Sequence, residues 1–153
     1  MIKHVNGNIL DANEVICHQV NCLGVMGGGL ALQIKNKWPE VYREYSELCD
    51  QVQDPELMLG HALVVDTNDG HRVANIFGQA NIGHGVQTDY RALLLAFEEI
   101  AELGVDVAIP YGIGCGLAGG SWDMVEKLIH IAFKDKPFTA VIYTYDKYKF
   151  ANK

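Results

Sequence analysis

The chain has 153 residues, enough for one domain that buries about two-thirds of its unfolded surface without staples. Nineteen Asp and Glu against twelve Lys and Arg give a net charge of -7, the wrong sign for a general polyanion binder, so broad nucleic-acid binding is not expected. Any phosphate must be held locally, by main-chain N–H groups and helix ends rather than by a basic surface.

In chain order, residues 3–6 read as an edge strand and 14–21 as a Val/Ile-rich strand. A glycine run then opens a short helix that stops at Trp38, because the following proline disfavours helical geometry. Pro39 suits the first position of the next helix, whose apolar period is Val41, Tyr45, Leu48 and Cys49. Strands follow at 62–67 and 71–77. The next helix carries Tyr90, Leu93, Leu94, Phe97, Ile100 and Ala101, with Thr88 as its N-cap, Asp89 in its first turn and Gly104 as a left-handed stop. A strand at 105–110 leads to a second glycine run, then Ser121 caps a helix with Met124, Val125, Leu128 and Ala132, and a last strand spans 138–145. The alternation predicts a single α/β domain over residues 1–153, with helices covering a sheet.

Cys17, Cys22, Cys49 and Cys115 form no CxxC pair, and Ile2-Lys3-His4-Val5 runs into polar Asn6-Gly7-Asn8 without the look of a signal peptide. The expectation is a reduced, cytoplasmic protein, monomeric and without a membrane segment, since no apolar run approaches the roughly 18 residues of a spanning helix. The six histidines lack ligand spacing such as HxxxH, and neither a metal nor a cofactor is called for.

The informative segments are two glycine-rich loops. Asn21-Cys22-Leu23-Gly24-Val25-Met26-Gly27-Gly28-Gly29-Leu30-Ala31 follows one strand and opens a helix; Pro110-Tyr111-Gly112-Ile113-Gly114-Cys115-Gly116-Leu117-Ala118-Gly119-Gly120-Ser121 does the same later. Glycines there permit positive φ and close backbone approach, and a helix N-terminus aims unpaired N–H groups at an anion. Either loop alone is open to reading as a permissive turn. Two in equivalent positions beyond strand ends can grip one diphosphate from both sides. Neither has the Gly-Lys-Ser/Thr of a P-loop or a dinucleotide GxGxxG with its later acid, so ordinary NTP hydrolysis and NAD-dependent redox chemistry lose support.

Taken together, Asn6-Gly7-Asn8-Ile9, Asn21 with Gly27-Gly28-Gly29, and Gly112-Ile113-Gly114-Cys115-Gly116-Leu117 after a strand ending in proline resemble the macrodomain family over residues 3–145. The resemblance implies a three-layer α/β/α sandwich with a central mixed sheet, and ADP-ribose as ligand. It implies adenine near Asn8 and Ile9, the diphosphate on Gly27, Gly28, Gly29, Leu30 and the 112–117 loop, the distal ribose near Asn21, and Tyr145 packed on adenine. Family members that use an aspartate after the first triple glycine have no counterpart here, where Leu30-Ala31 stands. Another branch uses a lysine that falls near Gly78 and an aspartate near Ala118, and neither is present. The branch resembling ADP-ribose 1''-phosphate phosphatases fits better. It shares the histidine three residues before the loop asparagine, here His18-Gln19-Val20-Asn21, and a Gly/His loop, here 78–85 with His84.

Phosphate monoester hydrolysis needs an in-line nucleophile, a proton donor and electrostatic stabilisation. His18 is the candidate nucleophile or base, with an ordinary pKa near working pH; alternatively it hydrogen-bonds a loop carbonyl. His84 is a candidate donor or phosphate ligand, or a solvated loop residue. Asn21 can bond ribose hydroxyls, or cap its own loop. Asp89 is more simply a helix-start acid than a base. The cysteines lack the Arg-ended loop of cysteine phosphatases and read as small buried residues. Lys147, Lys149 and Lys153 read as a solvated terminus. The leading expectation is an ADP-ribose 1''-phosphate hydrolase. The alternatives are removal of ADP-ribose from protein or nucleic acid, and an ADP-ribose reader without turnover.

Overall fold

In the computed structural model, which describes residues 1–145, six apolar segments pair into one sheet. These are β1 (Ile2–Asn6), β2 (Val15–Val20), β3 (Ala62–Asp66), β4 (Arg72–Phe77), β5 (Val107–Pro110) and β6 (Ala140–Thr144), in the order β1-β6-β5-β2-β4-β3. Every neighbouring pair is parallel except β3, which runs antiparallel to β4 at the edge. The carboxyl ends of five strands therefore open on one side, where an α/β sheet places its ligand.

Parallel strands are covered on both faces, and the near-continuous burial of β2 and β4 shows it. Side chains alternate along β2, so Val15 and Cys17 join one core cluster and Ile16 and Val20 belong to the other face. The first cluster packs under α4 (Tyr90–Ala101) and α5 (Trp122–Phe133) through Leu93, Phe97, Val125, Ile129 and Phe133. The other face lies under α1 (Gly29–Lys37) and α2 (Pro39–Val52) through Ile34, Trp38, Val41 and Tyr45. The result is the expected three-layer α/β/α sandwich with a mixed sheet. Phe97, fully buried and edge-on to Phe133, anchors the α4–α5 layer; truncating such a residue to alanine costs about 3–5 kcal/mol.

Local departures from the sequence reading have identifiable causes. Asp89, not Thr88, caps α4, accepting from the Ala92 amide at 3.0 Å, because the Thr88 hydroxyl is committed to the Gly114 carbonyl at 2.6 Å. Ser121 is the α5 N-cap position, but its side chain makes no capping bond. Gly104 is left-handed just past α4, as expected. Two short elements went unread: a 3-10 turn at Ile9–Asp11 capped by Asn8, and α3 (Pro55–Met58) capped by Asp54. Among the described residues no helix is long and apolar enough to cross a membrane. Lys147, Lys149 and Lys153 lie outside the described residues.

Candidate functional site: two glycine loops over one cleft

A cleft of about 590 Å³ opens at the carboxyl ends of β2, β4 and β5. His18, Gln19 and Asn21 line it from β2 and its exit, Gly27 to Leu30 from the first loop, and Gly112, Ile113, Gly114, Gly116 and Leu117 from the second. The loops touch across it: a Cβ built on Gly28 would come within 2.9 Å of Leu117 Cδ1. Among its described lining residues there is no Asp, Glu, Lys or Arg.

The polarity of this cleft comes from main-chain amides. In the first loop the earliest α1 bond runs from the Leu32 amide to the Gly28 carbonyl, so the Gly29, Leu30 and Ala31 amides precede the helical ladder and point out of the helix start. Of the glycine triplet only Gly29 is left-handed, with φ +56°. In the second loop Gly112 and Gly114 are left-handed, φ +81° and +75°, alternating with Ile113 and Cys115. The Ile113 and Cys115 amides close turns onto Pro110 and Gly112, leaving those of Gly112, Gly114, Gly116 and Leu117 without a backbone acceptor among the described residues. Successive N–H groups in alternating hand form an anion-binding concavity.

Side chains hold both loops in shape. Asn21 is buried and braces the first: its Nδ2 donates to Val25 O at 2.9 Å, and its Oδ1 accepts from the Leu23 amide at 2.9 Å and the Tyr45 hydroxyl at 2.8 Å. Its capping role is therefore occupied, while the second Nδ2 proton has no acceptor among the described residues. The second loop is tied to the sheet through Thr88, whose hydroxyl donates to Gly114 O and accepts from Gln19 Nε2 at 3.0 Å. Gln19 Nε2 also donates to Gln79 Oε1 at 2.9 Å. Gln19 also packs against Gly78: a Cβ there would lie 2.8 Å from its Cδ, so a side chain at position 78 would need the flexible Gln19 side chain to move. The place near Gly78 where one branch of the resembled family carries a lysine is next to this β2 side chain.

His18 is 2 % exposed and points to the α1/α2 face; Nε2 lies 2.6 Å from Asn75 Oδ1, directly opposite on β4, and the buried Nδ1 has no partner among the described residues. Burial pushes its pKa down to about 4, with the Asn75 bond opposing only in part. The expectation of a titration near neutrality fails for this reason: the ring is neutral at working pH. Cys17 and Cys22 are raised by burial to about 12 and about 11, and Cys115 is raised as well, so all three stay thiols.

Other expected site residues sit near the cleft without lining it. Asn8 caps the 3-10 turn through its bond to the Leu10 amide, and Ile9 is buried under α1. Both follow β1, on the same edge of the sheet as the cleft, and Tyr145, 57 % exposed, follows β6 there. His84 is exposed in the loop between β4 and α4, and the Cys115 side chain turns to the α4/α5 core. Gln19, Asn75, Tyr45 and Thr88 were not singled out as site residues. The one local signal was the polar Thr88-Asp89 pair, which reads as a helix cap.

The Macro domain family model matches residues 17–129, spanning both loops and the cleft between them. The chain belongs to the Macro domain family. Among its relatives, the DNA ADP-ribosyl glycohydrolase of Mycobacterium tuberculosis is 34% identical over 151 residues, 94% of this macrodomain chain and 42% of the relative. An ADP-ribose 1''-phosphate phosphatase of Candida glabrata is 32% identical over 110 residues, 65% of this chain and 60% of the relative. The solved macrodomain of Mycobacterium tuberculosis DarG superposes with a TM-score of 0.79 at 32% identity, covering 94% of this chain and 97% of that one. This macrodomain thus spans about two-fifths of the glycohydrolases it matches, and nearly all of the excised DarG macrodomain.

Proposed function

We propose that the cleft binds ADP-ribose, with its diphosphate on the amides of the two loops, and that the protein hydrolyses a bond at the 1'' position of the distal ribose. The observation that carries this reading is the convergence of two sets of unpaired main-chain N–H groups on one cleft without charged side chains among its described lining residues. In a protein of net charge -7 such amides and the α1 start are what remain to hold a diphosphate. Asn8, Ile9 and Tyr145, at the exits of β1 and β6, suit the adenosine end; Asn21 and His18 suit the distal ribose.

Release of ADP-ribose from a nucleic acid or protein is the first reading for the leaving group. It is favoured by the relative that matches 94% of the chain, a DNA ADP-ribosyl glycohydrolase. Cleavage at the 1'' carbon develops positive charge on the ribose. The bound diphosphate is the nearest counter-charge, since no carboxylate lines the cleft among the described residues. A second reading, hydrolysis of ADP-ribose 1''-phosphate, is favoured by His18, whose unprotonated ring can attack phosphorus or take a proton from water. A neutral His18 cannot serve as the acid, which leaves His84 as the candidate donor.

Calorimetry with ADP-ribose tests the binding step, and absence of heat at millimolar ligand would overturn the whole reading. Parallel incubations with ADP-ribosylated oligonucleotide, ADP-ribosylated protein and ADP-ribose 1''-phosphate separate the rest. Free ADP-ribose from a conjugate supports the first reading and phosphate release the second. Tight binding with no product assigns a reader. Phosphate release that survives substitution of both His18 and His84 removes those two from the mechanism.

A further inference from the structure

A chain of side-chain hydrogen bonds joins the loop after β4 to the second glycine loop, and its direction is fixed at both ends by main-chain carbonyls. Gln79 Nε2 donates to Asn81 O at 2.8 Å, and flipping that amide would set two acceptors face to face. Gln79 therefore turns its oxygen to Gln19, which donates through Nε2 at 2.9 Å. From the other end, Thr88 Oγ1 lies 2.6 Å from Gly114 O, so its single proton goes there, and the Gln19 atom 3.0 Å from the hydroxyl must again be the donor. Both ends assign Gln19 the same orientation, although it leaves Gln19 Oε1 buried without a partner among the described residues.

The chain ends on a carbonyl of the loop whose free amides are assigned to the diphosphate. Gly114 lines the cleft, whereas Thr88 is 6 % exposed and lies outside the lining. Its hydroxyl, together with the Gly120 amide at 2.8 Å on the same oxygen, therefore draws the Gly114 carbonyl off the cleft. Glycine at 114, with φ +75°, offers little resistance to rotation of that peptide. A carbonyl turned to the cleft would meet a phosphate as acceptor against acceptor. We propose that Thr88 is a positioning residue for the diphosphate: its hydroxyl, oriented by Gln19, holds the Gly114 carbonyl away from the ligand and so keeps the Gly114 and Gly116 amides available to it. The proposal rests on the ADP-ribose reading above and adds to it a residue that does not line the cleft.

Calorimetry with ADP-ribose and with ADP on the wild type, Thr88→Val and Thr88→Ser tests it, beside amide proton–nitrogen spectra of each. Valine keeps the shape of threonine but sets a methyl against the Gly114 oxygen, while Gly114 O keeps the Gly120 amide and Gln19 Nε2 keeps Gln79. Thr88→Val should weaken both ligands by the same factor, about tenfold, because they share the diphosphate. Its spectrum should move at Gly114, Gly116 and Leu117 and stay unchanged at Gly29, Leu30 and Ala31. Thr88→Ser retains the hydroxyl and should restore both affinities to near wild type. Wild-type affinity in a folded Thr88→Val overturns the proposal, and so does an equal loss in Thr88→Ser, which assigns threonine a packing role. Weaker ADP-ribose with unchanged ADP also overturns it, since the effect then lies beyond the diphosphate. Absence of ADP-ribose binding by the wild type instead defeats the function reading, and the ligand half of this proposal with it. Should Thr88→Val fail to fold, Thr88→Ala removes the hydroxyl without crowding the carbonyl and gives the same comparison.

Discussion

Alanine at Gly116 or Gly27 separates ligand contact from loop architecture. Neither residue is in the positive-φ region, and a Cβ built on either meets no heavy atom within 4 Å. The free protein therefore pays no steric penalty, and the less flexible unfolded chain favours alanine by about 0.4–1 kcal/mol. For a domain this size that raises Tm by about 1–4 °C. The bound state differs. If a phosphate oxygen sits against the amides of residues 116 and 117, or at the start of α1 after Gly27, the new methyl stands in its approach. Loss of one charge-assisted hydrogen bond costs about 1.5–3 kcal/mol, roughly 10- to 100-fold in Kd. Calorimetry with ADP-ribose, paired with a thermal melt, reads both quantities on the same sample. Weaker binding with an unchanged or higher Tm is the expected pair. Wild-type affinity in both variants would refute the claim that these amides carry the diphosphate, because the substitutions are silent everywhere else.

Gly120→Ala should instead damage the protein itself: its Cβ would lie 2.5 Å from the Gly114 carbonyl oxygen, a backbone atom that cannot swing away. A loss of about 1–3 kcal/mol, read as a lower midpoint in urea, is expected alongside weaker ADP-ribose binding. Tyr45→Phe removes the hydroxyl that bonds Asn21 O and Oδ1 and should cost about 1 kcal/mol in the same denaturation assay. Asn21→Ala strands the Leu23 amide and takes the Nδ2 donor from the Val25 carbonyl, while the Tyr45 hydroxyl keeps the Asn21 main-chain oxygen, so its cost should exceed that of Tyr45→Phe. His18 also sets a pH dependence. Its folded pKa of about 4 lies below the ordinary 6.5, so between these values the unfolded chain binds the extra proton. Stability should be full above pH 6.5 and fall as pH drops toward 4, by up to about 1.4 kcal/mol per unit. Urea midpoints measured across that window should lose this slope in His18→Gln.

The layer architecture was legible because it is written in local periods. The near-continuous apolar run of β4, and the 3.6-residue spacing of Leu93, Phe97 and Ile100 in α4, survive whatever packs on them. The loops were legible as glycine runs at strand ends, and the structure brings both onto one cleft. What lay beyond the sequence is set by pairing between distant segments. Thr88 reads as a cap until the second loop arrives and claims its hydroxyl for Gly114, which hands the cap to Asp89. The crowding at position 78 comes from Gln19, a residue 59 positions earlier whose direction depends on the pleat of β2. His18 shows the limit most clearly. A register slip of one residue between β2 and β4 would set Ala74 or Ile76 opposite it instead of Asn75. The ring would then lose the Asn75 partner of its Nε2, and its tautomer would be free. The chemistry open to His18 is therefore fixed by how two strands pair, and no residue within the His18-x-x-Asn21 segment encodes it.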